Sequence, residues 1–275
     1  MESRSAEPRS GLVRVVWAPA RREPDHRSEM VTQWLCGEKL DLLDRGGGWV
    51  LARDEDGYRA WTTAAAVLET EAAGEWAASA GWSLGTAIEG PDGRCGYLPW
   101  GGRVRAAPGA RLELPDGTLV APARPEAVLA RDELERRFPP DPPALVGTAR
   151  RWTGVPYAWG GRTDTGCDCS GFVQTVFATH GTRLPRDSAD QSEIGPVLVD
   201  PEVCGFEFQP ADLLFFAPEE KGVTHVAIST GGHGIIHCCA SRGDVSADSL
   251  CAEGEFEQLL RKSLVRVTRP LETLP

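Results

Sequence analysis

A cysteine and a distant histidine provide this sequence with a candidate nucleophile and base. Cys169 stands where an irregular loop meets an apolar helical pattern, and His225 lies farther along the chain in a run of strand-forming residues. Backbone N–H groups and the dipole at a helix start favour a thiolate, the nucleophilic form of cysteine. A cysteine nucleophile also needs a base that accepts its proton. These residue types therefore indicate nucleophilic catalysis by Cys169, with His225 as its base.

A third polar group is needed to orient the imidazole of the base, and His237 is the candidate. It lies in the next predicted strand, so the two histidines meet only if they share one face of a hairpin. An odd-length loop satisfies this condition, whereas an even-length loop places the two side chains on opposite faces. We therefore predict a five-residue loop over 230–234.

These residues also have ordinary structural interpretations. A single cysteine at a helix start is more often a small buried apolar residue. Lone histidines commonly lie at the surface or in a core where their polar atoms are satisfied, so His26, His180 and His233 are assigned no function. Spacing alone leaves catalysis and packing equally open for Cys169 and His225.

Composition and charge exclude several classes of protein. The 275 residues, 41% of them apolar, suffice for two or three small packed domains. A formal net charge of −11 argues against binding to nucleic acid, which depends on basic contacts to phosphate, and against docking on anionic membranes. No apolar run reaches the roughly 18 residues of a membrane-spanning helix. The start of the sequence lacks the apolar core of a secretory signal, so we expect a cytoplasmic protein.

The eight cysteines are scattered and do not form a regular disulfide framework. Cys167, Cys169 and the adjacent Cys238 and Cys239 could in principle bind zinc. The paired C-x₂₋₄-C knuckles that are typical of structural zinc sites are missing from the sequence. We therefore expect reduced thiols, no metal and no cofactor.

The pattern of short segments divides the chain into four parts. Strand-like runs broken by turns predict a small β-barrel over 1–72, and a weak repeat of that pattern predicts a second barrel over 73–125. Residues 126–143 form a proline-rich connector, in which proline resists a long helix. Residues 144–275 predict an α+β domain. Its predicted helices cover 146–152 and 170–180, and its predicted strands cover 213–216, 224–230, 234–239 and 263–268.

Five motifs follow one another in the last part of the chain. They are GVPYAWGG at 154–161, CDCSGFVQ at 167–174, LPRDS at 184–188, PADLLFF at 210–216, and THVAI at 224–228 with IH at 236–237. In this order they closely resemble the NlpC family of bacterial cell-wall cysteine peptidases. That family has a compact papain-like fold, so the resemblance implies helices packed on an antiparallel sheet.

The resemblance also implies a catalytic centre, with Cys169 as nucleophile, His225 as base and His237 as the orienting residue. Tyr157 would lie beside the thiolate and, with the backbone N–H of Cys169, define the oxyanion site. Trp159 would form a wall of the cleft or simply pack in the core. The implied reaction is acyl transfer: the thiolate attacks a γ-D-glutamyl carbonyl, His225 protonates the leaving amine, and water releases the acyl-enzyme.

The two predicted barrels are similar to those of one subgroup of this family. Its members are γ-D-glutamyl-L-diamino acid endopeptidases with two bacterial Src-homology-3-like domains, and they act on peptides with a free N-terminal L-Ala. The resemblance implies that Arg186, Ser188 and Ser170 bind the α-carboxylate of D-Glu, for which arginine offers a planar fork of donors. Asp187 would bind the substrate amine.

Three further residues complete the implied site. Asp168 would support the cleft or act as a helix N-cap. Tyr58 and Glu29, in the first barrel, would reach the substrate amine. The alignment there is looser, because Arg59 and Ala60 replace the commoner Pro-Gly. A turn tyrosine and a solvated glutamate are therefore the alternatives for these two positions.

The sequence thus predicts a monomeric enzyme of cell-wall peptide recycling. Its substrate would be a murein tripeptide or tetrapeptide, L-Ala-γ-D-Glu-diamino acid, cut before diaminopimelate or lysine. The main alternative is a secreted or injected peptidoglycan hydrolase that acts on intact wall and uses its barrels as wall-binding modules. An acyltransferase or amidase is another alternative. A non-enzymatic binding module is disfavoured because all three catalytic positions are filled.

Overall fold

The computed structural model describes residues 9–198, 207–218 and 222–272. The chain divides into two compact units, Met1–Glu133 and Leu134–Pro275. Each unit has its own sheets and its own buried apolar clusters. Cys204, one of the eight cysteines, lies outside the described residues.

Seven antiparallel strands form the first sheet of the N-terminal unit. Buried and more accessible side chains alternate along these short strands, so one face packs a core that includes Trp34 and Val50. The strands are β1 (Arg9–Val13), β2 (Trp17–Arg21), β3 (Met30–Leu35), β4 (Lys39–Gly46), β5 (Trp49–Arg53), β6 (Arg59–Thr63) and β7 (Val67–Glu69). Their order in the sheet is β3-β2-β6-β5-β4-β1-β7.

A short helix leads into the second sheet of this unit. The elements are α1 (Ala73–Ser79), β8 (Gly81–Glu89), β9 (Cys95–Ala107), β10 (Arg111–Glu113), β11 (Leu119–Pro122) and β12 (Val128–Leu129). Strand β8 pairs with both β9 and β11, so β8, β9, β10 and β11 close on themselves as a small barrel. Strand β12 also pairs with β8. The second sheet therefore extends into the segment that was predicted as a connector, 126–143.

The two sheets of the N-terminal unit meet at the turn after β3. Cys36 in this turn is buried in the core of the second sheet, and its carbonyl accepts a hydrogen bond from the N–H of Arg103 at 2.7 Å. Gly37 has a φ of +73°, and a Cβ there would overlap the carbonyl oxygen of Arg103. Burial raises the pKa of Cys36 to about 12, so this thiol is a protonated packing residue.

The C-terminal unit has helices on a mainly antiparallel sheet. Helix α2 (Arg131–Arg137) spans the boundary between the units, and the later helices are α3 (Pro142–Arg150), α4 (Cys169–Thr179), α5 (Ser188–Gln191) and α6 (Glu255–Ser263). The strands are β13 (Arg162–Thr163), β14 (Gly166–Cys167), β15 (Val197–Leu198), β16 (Leu213–Phe216), β17 (His225–Gly231), β18 (Gly234–Cys239), β19 (Asp244–Ser249) and β20 (Leu264–Thr268). The sheet order β15-β20-β16-β17-β18-β19 confirms the predicted α+β class.

Helix α3 begins earlier than the sequence predicted, at Pro142 instead of residue 146. The side chain of Asp141 caps it by accepting a hydrogen bond from the N–H of Ala144 at 3.4 Å. Proline fits the first turn of a helix because the N–H it lacks would have no intrahelical partner there. Proline at this end of the connector therefore starts a short helix, and only the predicted start at residue 146 was wrong.

Helix α4 lies inside the C-terminal unit. Phe172, Val173, Val176 and Phe177 are fully buried, and the helix packs against α3, β17 and β18.

Among the described residues, no helix combines the length and the apolar character needed to cross a membrane.

Candidate active site

The start of α4 is held by the carboxylate of Asp168. Its Oδ1 accepts the N–H of Gly171 at 2.8 Å, which is the N-cap arrangement, and its Oδ2 accepts the N–H of Gly160 at 2.9 Å. A Cβ on Gly171 would overlap the carbonyl oxygen of Gly161, so glycine is required for this close packing. Cys169 is thereby placed as the first residue of the helix.

Arg186 is buried against this N-cap. Its Nη2 donates to Oδ2 of Asp168 at 2.6 Å, and its Nη1 donates to Oγ of Ser170 at 2.8 Å. The two charged side chains are only 2% and 8% exposed. The structure thus joins Arg186 and Ser170, predicted to bind a substrate carboxylate, to Asp168. Their contact with substrate stays a prediction.

The thiol of Cys169 lies against the beginning of β17. Its Sγ is 4.0 Å from the carbonyl oxygen of Thr224, and the N–H of Val226 also acts on it. Burial raises the pKa of Cys169 to about 12, and the charge of Asp168 adds to the rise, whereas the N–H of Val226 and the charge of Arg186 oppose it. The thiol is therefore protonated at neutral pH, and a nucleophilic role would require a base.

A β-bulge in β17 decides which way His225 and His237 point. The two strands are joined by a two-residue turn at 232–233, so the predicted five-residue loop is wrong. A regular hairpin on a two-residue turn would place these histidines on opposite faces. The pairing shifts by one residue after Ser229, which pairs with Ile235, and this extra residue restores the common face.

The two imidazoles are in direct contact. Nε2 of His225 lies 2.7 Å from Nδ1 of His237, and the rings meet edge to face with centroids 5.0 Å apart. Burial, followed by the neighbouring His237, lowers the pKa of His225 to about 3. His225 is therefore a neutral imidazole at neutral pH, the form that can accept a proton.

A third residue, Asp248, extends this contact and was missed in the sequence. Its Oδ2 lies 2.9 Å from Nε2 of His237, whose side chain is fully buried. Its Oδ1 accepts a hydrogen bond from Arg242 at 2.6 Å. The hydrogen bond with His237, above all, lowers the pKa of Asp248 to about 2, so the carboxylate is ionised at neutral pH.

The sequence carried little signal for the strand that holds Asp248. Strand β19 is an edge strand, and Val245 is its only fully buried residue, so it lacks an apolar alternating pattern. Helix α6 was also missed although its signal was readable. Phe256, Leu259 and Leu260 have helical spacing there, and acidic residues occupy its first turn.

Tyr157 and Trp159 lie in the segment before the nucleophile. The N–H of Ala158 donates to the carbonyl of Cys167 at 2.8 Å, and this pairing keeps the segment beside the start of α4. Burial, followed by the charge of Cys169, raises the pKa of Tyr157, so its phenol keeps its proton. Trp159 is 61% exposed, which fits a cleft wall better than a core position.

The other predicted substrate contacts lie in two places. Asp187 is the exposed N-cap residue of α5, and Ser188 is buried as the first residue of that helix. Tyr58 packs against the core of the first sheet in the N-terminal unit. Glu29 forms an ion pair with Arg22 in the same unit, at 2.7 Å.

The cysteines around the nucleophile are packed rather than arranged for metal. The thiol of Cys238 donates to the carbonyl of Cys167 at 3.0 Å, and both residues are fully buried. The described part of the chain contains no cluster of three or more His, Cys, Asp or Glu side chains arranged to hold a metal ion.

Two family models match the chain. Residues 154–264 match the NlpC/P60 family, and residues 20–67 match the bacterial dipeptidyl-peptidase Sh3 domain. A gamma-D-glutamyl-L-lysine dipeptidyl-peptidase of Bacillus cereus is 40% identical over 116 residues, which are 42% of this chain and 33% of that protein. A protein with the same description from Bacillus subtilis is 40% identical over 96 residues, 34% of this chain and 30% of that protein. The chain thus aligns with about a third of the length of these curated relatives.

A solved structure shares the fold along nearly the whole chain. The NlpC/P60 family protein of Bacillus cereus ATCC 10987 superposes with a TM-score of 0.76 over 95% of this chain and 99% of that one, at 21% identity. The papain-like fold and the family resemblance drawn from the motifs are therefore confirmed. The chain contains an NlpC/P60 family domain, preceded by a bacterial dipeptidyl-peptidase SH3 domain.

Proposed function

We propose that this chain is a cysteine peptidase that hydrolyses the bond between γ-D-glutamate and a diamino acid in murein peptides. The observation that carries the proposal is the placement of Cys169 at the start of α4, against the strand whose His225 is bonded to His237. A thiol that is protonated at rest and a neutral imidazole form a nucleophile and general base pair. The family match and the dipeptidyl-peptidase relatives support the same chemistry.

The proposed reaction is acyl transfer through a thioester. Nδ1 of His225 accepts the thiol proton as Sγ of Cys169 attacks the γ-carbonyl of D-glutamate. The backbone N–H of Cys169 and the protonated phenol of Tyr157 stabilise the oxyanion of the tetrahedral intermediate. His225 then gives its proton to the departing amine of the diamino acid. Water attacks the thioester with His225 again as base, which regenerates the thiol.

The substrate is proposed to be a tripeptide or tetrapeptide that begins with a free L-Ala, and the role is recycling of wall peptides in the cytoplasm. The relatives named for action on a gamma-D-glutamyl-L-lysine bond support the γ-linkage. Lysine and diaminopimelate are both candidates for the diamino acid. Asp187, Ser188, Arg186 and Ser170 are the proposed partners of D-Glu and of the L-Ala amine. The enzyme is proposed to act as a monomer.

The test is mass spectrometry of L-Ala-γ-D-Glu-meso-diaminopimelate, of its lysine counterpart and of the N-acetylated tripeptide, each incubated with the full chain. We expect release of the diamino acid from at least one free tripeptide and little from the acetylated one. Cys169→Ala is expected to abolish the reaction. Cys95→Ala, at an exposed cysteine of the N-terminal unit, is the matched control and is expected to keep full activity.

The other outcomes separate the parts of the proposal. Equal cleavage of the acetylated peptide would keep the peptidase and remove the recycling role. Cleavage of intact sacculi as fast as free tripeptide would favour the wall hydrolase. If none of these peptides is cleaved by a folded protein, the proposed function is wrong.

A further inference from the structure

A continuous chain of hydrogen bonds runs from the base to a carboxylate on the edge strand. Nε2 of His225 contacts Nδ1 of His237 at 2.7 Å, and Nε2 of His237 contacts Oδ2 of Asp248 at 2.9 Å. His237 is fully buried and the side chain of Asp248 is 8% exposed, so the chain is largely shielded from water. The two ring nitrogens of an imidazole, Nδ1 and Nε2, differ in role. The carboxylate at the end of this hydrogen-bond chain decides which of them carries the hydrogen.

The protons can be assigned from the acceptor end. An ionised carboxylate only accepts hydrogen bonds, so Nε2 of His237 must carry the hydrogen that points at Asp248. With this hydrogen on Nε2, the Nδ1 of His237 is the nitrogen left to accept a hydrogen bond from Nε2–H of His225. His225 in turn has its lone pair on Nδ1. That is the nitrogen required to take the proton of Cys169.

We infer that Asp248 is a positioning residue that sets the tautomer of both histidines and thereby makes His225 a base. The inference deepens the proposed function and rests on it. Without the carboxylate, His237 could carry its hydrogen on Nδ1, and the contact with His225 would then require the reverse tautomer. His225 would present an N–H where the reaction needs a lone pair.

A second contact fixes the position of Asp248 itself. Its other oxygen, Oδ1, accepts from Arg242, whose guanidinium also donates to Glu257 of α6 at 2.6 Å. The same guanidinium lies 4.4 Å from the centre of the Phe256 ring, and that ring lies 6.1 Å from the ring of His237. Asp248 on the edge strand β19 is therefore held with one carboxylate oxygen toward His237 and the other toward Arg242. Arg242 lies in the turn before β19 and is itself held by α6.

Asp248 also acts during the proton transfer. The proton that leaves Sγ of Cys169 bonds to Nδ1 of His225, which becomes an imidazolium while the sulfur forms its bond to the substrate carbonyl. Among the described residues, the charged groups at the acceptor end of this hydrogen-bond chain are Asp248, Arg242 and, through Arg242, Glu257. Asp248 is the one bonded to an imidazole, so its negative charge stabilises the cation as it forms.

The first test reads the tautomers directly by NMR. Long-range ¹H–¹⁵N correlations of the imidazole rings distinguish Nδ1–H from Nε2–H, and the chain has only five histidines to assign. We expect both His225 and His237 to carry a hydrogen on Nε2 and none on Nδ1 at pH 7 in the unmodified protein. An Nδ1–H tautomer at His237 would overturn the inference without any variant being made.

The second test measures alkylation of Cys169 by iodoacetamide as a function of pH, which needs no substrate. In Asp248→Asn the rate at pH 7 is expected to fall roughly tenfold, the factor that one pKa unit represents, and the midpoint is expected to move to higher pH. Asp248→Glu, which keeps the charge, should recover part of the rate. Asp190→Asn, at an exposed position of α5, is the control and should leave the profile unchanged.

The same variants are then assayed for kcat and KM on the tripeptide. We expect a roughly tenfold lower kcat for Asp248→Asn at similar KM, because the residue acts on the base and not on substrate binding. An unchanged alkylation profile in a folded Asp248→Asn would overturn the inference. If the tautomers and the alkylation follow expectation and no tripeptide is cleaved, the proton arrangement stands and the proposed substrate is wrong.

Discussion

Two aspartates, Asp168 next to Cys169 and Asp248 bonded to His237, each form an ion pair with an arginine. The two ion pairs have the same length but differ in exposure to water. Asp168 is 2.6 Å from Arg186, and Asp248 is 2.6 Å from Arg242. Both carboxylates are 8% exposed. The side chain of Arg186 is 2% exposed, whereas that of Arg242 is 38% exposed.

This difference in exposure shows that two ion pairs of equal length need not contribute equally to the stability of the fold. Removing one partner of a buried ion pair leaves an unpaired charge in a low-dielectric interior, while water can replace an exposed partner. The Asp168–Arg186 pair holds the start of the helix that carries Cys169, so its loss is expected to lower the stability of the fold. The Asp248–Arg242 pair holds a carboxylate against His237, so its loss is expected to act on the proposed chemistry.

The largest expected effect is the loss of stability in Arg186→Met. Asp168 would remain buried without its cation, and breaking such a pair lowers the free energy of unfolding by about 3–5 kcal/mol. Urea unfolding followed by circular dichroism measures this change. Arg242→Met is the matched control and is expected to unfold close to the unmodified protein, because its guanidinium is accessible to water.

Adding Asp168→Asn to Arg186→Met should restore part of the lost stability, since the unpaired charge is then gone. Equal destabilisation by Arg186→Met and Arg242→Met would show that burial does not separate the two pairs.

The next effect concerns the thiol, on which the two aspartates act with opposite sign. The charge of Asp168 raises the pKa of Cys169. In Asp168→Asn, the pKa of Cys169 is therefore expected to fall by about half to one unit. Alkylation of Cys169 by iodoacetamide at pH 8 should then be roughly three- to tenfold faster. Asp248→Asn is expected to slow the same reaction. Changes of the same sign in both variants would contradict this comparison.

The smallest effect is the contribution of Asp248 to acid stability. Its pKa in the folded protein, about 2, lies below the ordinary value of 3.8. The ionised carboxylate therefore stabilises the fold above the ordinary pKa, and this stabilisation is lost as the pH falls from about 4 to about 2. The difference in unfolding free energy between the unmodified protein and Asp248→Asn should be constant near neutral pH. It should shrink over that acidic range in urea titrations, with Asp190→Asn as the control.

The elements with strong apolar patterns could be predicted from the sequence. Helix α4 was predicted over 170–180 and runs over Cys169–Thr179, and β16 and β18 have the predicted bounds. These segments are buried on more than one side, so each contains a dense run of apolar residues. Strand β19 could not be predicted in this way, because only Val245 of its six residues is fully buried and the strand lacks an apolar pattern.

The candidate nucleophile and base could also be named from the sequence. Cys169 stands at a helix start inside a recognisable motif, and His225 begins a strand inside another. Which partner holds Arg186 could not be derived, because an arginine fork suits a substrate carboxylate and a protein carboxylate equally well. Only the packing of the 184–188 segment under α4 places that fork on Asp168.

The sequence by itself determined the α+β class, the family domain and the order of the motifs that contain Cys169, His225 and His237. These depend on local periodicity and on residue types at short spacing. The tertiary structure alone decided that both histidines share a face, because a one-residue bulge changes the register of the whole hairpin. It also decided that Asp248 ends their hydrogen-bond chain, since strand pairing brings together residues that no local pattern connects.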